Sequence, residues 1–146
     1  MKKKFEVEDP DLNLSPFTGM TRKHYIELAT YLLERAFTHV KSMDDPLSFP
    51  LVPGKSYPQE GSPAWRFRSL EFEALERTFT LAGPLIHINP DMEINGIRLR
   101  DYYKLHLYNA LTPGHPNSLP LPEELPDATY QRSEERRVGK ECRSRW

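Results

Sequence analysis

Downstream of Thr21, apolar residues recur at three- and four-residue steps: Tyr25, Leu28, Ala29, Leu32, Leu33, Ala36, Phe37 and Val40. That spacing predicts a helix of about five turns with one broad apolar stripe. Arg22, Lys23, Glu27, Glu34, Arg35 and Lys41 then face water, Thr21 is a fair N-cap, and Asp44-Asp45-Pro46 ends the element. A second helix is expected from about Ser69 to Leu81, with Leu70, Ala74, Leu75, Thr78, Phe79 and Ala82 on its packed side. Gly83-Pro84 is its expected stop. Between Met92 and Leu99, Asn95-Gly96 sits between alternating apolar residues, the signature of a tight hairpin. A third helix, about Leu99 to Leu111, carries Tyr102, Tyr103, His106, Leu107, Ala110 and Leu111 on or near one face.

The connections are rich in proline, of which the chain has 14. Residues 1–20 read as irregular, with turn signals at Asp9-Pro10 and Ser15-Pro16. Pro46, Pro50, Pro53, Pro58 and Pro63, with Gly54 and Gly61, forbid a long helix or a central strand between 46 and 65. Tyr57, Trp65 and Phe67 predict that this stretch is a structured loop able to line a pocket. Residues 112–131 are proline-rich again. The fold class is therefore all-α with a minor β-hairpin. Three stripes so separated cover one another only in part, so the reading is the beginning of a larger helical domain.

Composition narrows the classes. At 146 residues the chain is one domain or a piece of one. Net charge is −1, with no basic excess to attract nucleic acid. No window approaches eighteen unbroken apolar residues, which excludes a membrane-spanning helix. The amino end, Met1-Lys-Lys-Lys-Phe, has positive charge but no apolar run behind it, so a secretory leader is not expected and a cytoplasmic location is.

The carboxyl end breaks the pattern. Residues 132–146, Arg-Ser-Glu-Glu-Arg-Arg-Val-Gly-Lys-Glu-Cys-Arg-Ser-Arg-Trp, hold six Lys and Arg, three Glu and no usable period. They could be a solvated basic tail or an arm for nucleic acid. The whole segment resembles the in-frame translation of a common short-read sequencing adapter, which makes 1–131 the genuine part and 132–146 an artefactual tail. Setting the tail aside leaves 14 of 20 Lys and Arg against 18 of 21 Asp and Glu, a net charge of −4. It also removes the single cysteine, Cys142, and with it any thiol nucleophile or Cys-ligated metal.

Chemistry by spacing is thin. Five histidines show no metal-ligand spacing, and there is no phosphate-binding loop, dinucleotide fingerprint or nucleophile elbow. No metal and no cofactor are expected. Glu73 and Arg77, at i and i+4, either form a surface ion pair or offer an acid beside a guanidinium. Trp65, Phe67 and Tyr57 either stack on sugar rings or belong to the core.

Several short runs carry a family resemblance. Asn13-Leu-Ser-Pro-Phe-Thr-Gly-Met-Thr-Arg-Lys-His-Tyr25, Ser62-Pro-Ala-Trp-Arg66, Leu70-Glu-Phe-Glu-Ala-Leu-Glu-Arg77 and Leu81-Ala-Gly-Pro-Leu85 resemble, in that order, the amino-terminal third of the bacterial family named domain of unknown function 2264. Glu73, Ala74 and Arg77 match the family's helix motif, and Leu111-Thr-Pro-Gly-His-Pro-Asn117 is similar to its later turn without the Tyr-Trp that often follows. A Gly precedes Pro84, and Thr80 stands where many members carry a bulky residue.

The resemblance implies a partial (α/α) toroid of the six-hairpin glycosidase type, similar to glycoside hydrolase family 154. It implies an inactive amino-terminal fragment of a β-glucuronidase-like enzyme acting on acidic plant-type oligosaccharides. A carbohydrate is then the expected partner, Glu73 the catalytic candidate, and Arg77, Trp65 and Tyr57 the substrate-binding ones. Alternatives are a polysaccharide lyase on uronate-containing glycans, using Tyr102, Tyr103 or His106 for proton abstraction, and a non-catalytic carbohydrate-binding or structural helical module.

Overall fold

The computed structural model describes residues 4–55 and 58–118, the side chains of Trp65, Arg68, Ser69, Glu71 and Phe72 excepted. Tyr57, the proline-rich stretch from 119 and the segment 132–146 lie outside the described residues. The elements in chain order are helix α1 (Arg22–Ala36), a 3-10 turn (Phe37–His39), helix α2 (Ala64–Ile88), strands β1 (Glu93–Ile94) and β2 (Ile97–Arg98), and helix α3 (Leu99–Leu111). The molecule is mostly helical with one short antiparallel ladder, as the periodicity predicts. No described helix is long and apolar enough to cross a membrane.

Helix α1 is shorter than its stripe suggests. It stops at Ala36, and a tighter turn rotates Phe37 and Val40 into the core. The start is made by Thr21 and His24 together. The His24 ring is buried, its Nδ1 accepts the Thr21 backbone N–H at 2.9 Å, and its Nε2–H donates to the Glu8 carbonyl at 2.6 Å. A backbone N–H can only donate and a carbonyl only accept, so the ring is neutral with its proton on Nε2. The imidazole thus takes the place of the glutamate of a capping box and also pins the amino-terminal strap, residues 5–8, near α1.

Residues 10–19 form a closed loop between strap and helix. The Asp11 N–H donates to the Gly19 carbonyl at 2.9 Å, and the Gly19 N–H returns to Ser15 at 2.8 Å. Gly19 has φ +66°, and a Cβ there would stand 2.4 Å from the Pro10 Cβ, so only glycine closes the loop.

Helix α2 overruns its expected stop. It begins at Ala64, which moves Trp65 and Phe67 from the expected loop into the first helical turn. It then continues through Gly83 and Pro84 to Ile88. An interior proline costs about 3 kcal/mol through a lost hydrogen bond and a clash with the carbonyl four residues back. Ala82 and Leu85, both in the core, lie on either side of it, and burying a leucine alone returns about 1.5–3 kcal/mol. The Asn89 N–H closes the end on the Leu85 carbonyl at 2.8 Å.

The hairpin follows the local chemistry. Asn95 at φ +52° and Gly96 at φ +77° supply the two positive φ values that a type I′ turn demands, with Glu93 opposite Arg98 and Ile94 opposite Ile97. Ile94 enters the core and Leu99 opens α3.

The core lies where α1, α2 and α3 meet. Phe37 and Tyr102 pack edge to face at 5.0 Å, Tyr102 and Tyr103 at 5.5 Å, and Leu33, Leu47, Leu85 and Leu99 fill around them. Two α3 side chains tie down the turn after α1: the Tyr102 hydroxyl donates to the Asp45 carbonyl at 2.9 Å, and His106 Nε2–H to the Met43 carbonyl at 3.0 Å. Burial raises the Tyr102 hydroxyl well above the ordinary phenol range, Tyr103 adds to this, and the Leu47 backbone N–H partly opposes it. Burial likewise pushes Tyr103 up to about 12, with Thr78 opposing weakly.

Candidate functional site

Glu73 and Arg77 sit one turn apart on α2, on a flank away from the buried positions Ala74, Leu75 and Thr78. Glu73 Oε2 and Arg77 Nη2 are 3.8 Å apart, with 44% and 78% of the two side chains exposed. Such a pair contributes less than about 1 kcal/mol, and its geometry leaves the guanidinium largely free to meet a ligand. Trp65 stands two turns earlier on the same helix. Tyr57, the other substrate-binding candidate, lies outside the described residues. Within the loop at 46–63, Leu47 and Pro58 are buried.

The aromatic cluster proposed for proton abstraction is core. Tyr102, Tyr103 and His106 are each at least 95% buried, and His106 spends its Nε2 proton on a backbone carbonyl. Among the described residues the buried Tyr103 hydroxyl has no hydrogen-bond partner, and the Thr78 hydroxyl donates to the Ala74 carbonyl at 2.7 Å.

A concave feature lies elsewhere. An open groove of about 380 Å³ runs between the strap and α1, lined by Phe5, Glu6, Glu8, Ile26, Glu27, Thr30, Tyr31 and Glu34. Phe5, Ile26, Thr30 and Tyr31 are half-buried, whereas Glu6, Glu8 and Glu27 are exposed. Phe5 and Tyr31 stack at 5.9 Å, and the Arg35 guanidinium lies 5.1 Å from the centre of the Tyr31 ring. Sequence reasoning missed this groove. The strap reads as irregular, and its anchor joins residues sixteen positions apart; the i, i+3, i+4, i+7 run of Glu27, Thr30, Tyr31 and Glu34 was the available signal.

Among the described residues no cluster of three or more His, Cys, Asp or Glu could hold a metal ion. No protein family, curated protein or solved structure matches the chain.

Proposed function

We propose that this chain is the amino-terminal part of a larger helical glycosidase acting on acidic oligosaccharides, and that alone it does not turn over substrate. The observation that supports it is the apolar surface left on all three helices: Tyr25 and Leu32 on α1, Phe79 and Ile88 on α2, and Tyr108 and Leu111 on α3 are exposed, surface that further helices of a larger domain would cover. The resemblance to the family named domain of unknown function 2264 supplies the reaction class, and the half-free guanidinium of Arg77 supplies a fork suited to a uronate carboxylate.

Glu73 is then the acid, the base or the group that orients Arg77. The burial of Tyr102, Tyr103 and His106 favours hydrolysis over the lyase alternative. Re-amplifying the locus from source DNA tests the reading. The expected result is a longer frame after about Gln131, encoding further helical pairs, whose product hydrolyses a β-glucuronide and leaves no ultraviolet-absorbing unsaturated sugar. A frame ending near residue 131 overturns it in favour of a binding or structural module.

A further inference from the structure

We propose that His24 is an acid-operated latch, and that protonation of its ring releases the amino-terminal strap from α1. The ring is buried and is held by two groups whose roles cannot be exchanged. The Thr21 backbone N–H needs an acceptor at Nδ1, 2.9 Å away, and the Glu8 carbonyl needs a donor at Nε2, 2.6 Å away. Only the neutral imidazole offers both. A proton added at Nδ1 sets two N–H groups against each other across the cap. The Thr21 hydroxyl, 3.1 Å from the same nitrogen, can accept from a charged ring, but the Thr21 N–H is still left without its acceptor. A cation is also unfavourable at this place, because the ring belongs to the first turn of α1, the positive end of the helix.

A ring that swings away from this conflict lets go of the Glu8 carbonyl. The strap then loses its anchor, Phe5 leaves the Tyr31 ring, and the half-buried Ile26 and Tyr31 of α1 open to solvent. His106 shows why the response stays local. It is equally buried, but its bond to the Met43 carbonyl at 3.0 Å is a donation from Nε2–H, which a charged ring keeps. The charges around His24 do not take over its role. Glu6, Glu8 and Asp9 on the strap, Asp11 on the closed loop, and Arg22, Lys23 and Glu27 on α1 are exposed, where water and salt screen them. On α2, which packs along α1, Arg66 carries a fixed charge, Glu73 pairs with Arg77, and Glu76 and His87 are exposed. His87 can titrate in the same range as His24, and substitution at His24 separates the two.

Hydrogen exchange of the full chain, read by mass spectrometry at about pH 7.5 and about pH 5.5 with labelling times scaled to the intrinsic rates, tests the latch. The expected result is a loss of protection of about tenfold or more at Thr21 and across the closed loop joined through Asp11 and Gly19, with α3 unchanged. His24→Gln keeps an acceptor at the capping-box position and has no proton to gain, so its Thr21 exchange should be the same at both pH values. His24→Glu, the commoner residue of such a box, is a second variant with the same expectation. Unchanged protection of the wild-type chain at the lower pH overturns the proposal. So does loss of protection in α3 together with Thr21, which is global acid unfolding. A pH response that persists in both variants also overturns it and assigns the response to another group.

Discussion

Tyr102 and Tyr103 are neighbours with opposite hydrogen-bonding fates. The Tyr102 hydroxyl is satisfied by the Asp45 carbonyl, whereas that of Tyr103 is buried without a partner among the described residues. Tyr102→Phe should therefore cost about 1 kcal/mol, and Tyr103→Phe should be neutral or stabilising, because an unpaired buried hydroxyl is itself a penalty. Thermal denaturation of the two variants checks the ordering; equal losses would contradict it. Both phenols also bind their protons more tightly in the folded state. Their contribution is present in full below the unfolded phenol value of about 10 and is lost as pH rises through about 12 for Tyr103. Alkaline unfolding should thus track phenolate absorbance above pH 10, and Tyr103→Phe should move the midpoint upward. At this scale the sequence was legible where partners are close: Glu73 and Arg77 are paired at i and i+4 as read. It was illegible at His24, whose role depends on a carbonyl sixteen residues away.

The elements show which local signals survive packing. The hairpin was readable because Asn95 and Gly96 carry the turn's φ requirement themselves. A Cβ on Gly96 would meet no atom within 4 Å, so Gly96→Ala should lose only the backbone strain of a left-handed residue, about 1–2 kcal/mol. Gly19→Ala combines the same strain with a collision against Pro10, and should abolish the closed loop, seen as faster hydrogen exchange at Asp11 and Gly19. The α2 boundary was not readable. Gly83-Pro84 is a local stop, and the core contacts of Ala82 and Leu85 override it. Pro84 is exposed, so Pro84→Ala restores a donor to the Thr80 carbonyl without opening a cavity. The melting temperature should rise, by the equivalent of about 1–3 kcal/mol. A fall would mean that the proline's bend is what seats Leu85.

At the scale of the whole molecule, apolar surface decides behaviour. Phe17 is 99% exposed at the loop tip, and Leu12, Leu14, Leu32, Tyr108 and Leu111 add to what the three helices present outward. Exposed patches of this kind promote association. Light scattering coupled to size exclusion should show concentration-dependent assembly, and a clean monomer with a sharp two-state transition would count against the fragment reading. The helical class was legible because the 3.6-residue period runs through all three helices. The groove was not, because three of its eight lining residues come from a strap whose sequence has no period at all.

The hairpin has a kinetic consequence. Helices α2 and α3 are joined by only ten residues, and four of these are already paired in β1 and β2. Closing so short a connection costs little chain entropy, whereas bringing α1 back across residues 40–63 closes a much longer one. The α2–hairpin–α3 unit should therefore form early in refolding, with α1, the closed loop and the strap docking onto it afterwards. A protease acting during refolding would cut the amino-terminal third long after residues 64–111 had become resistant.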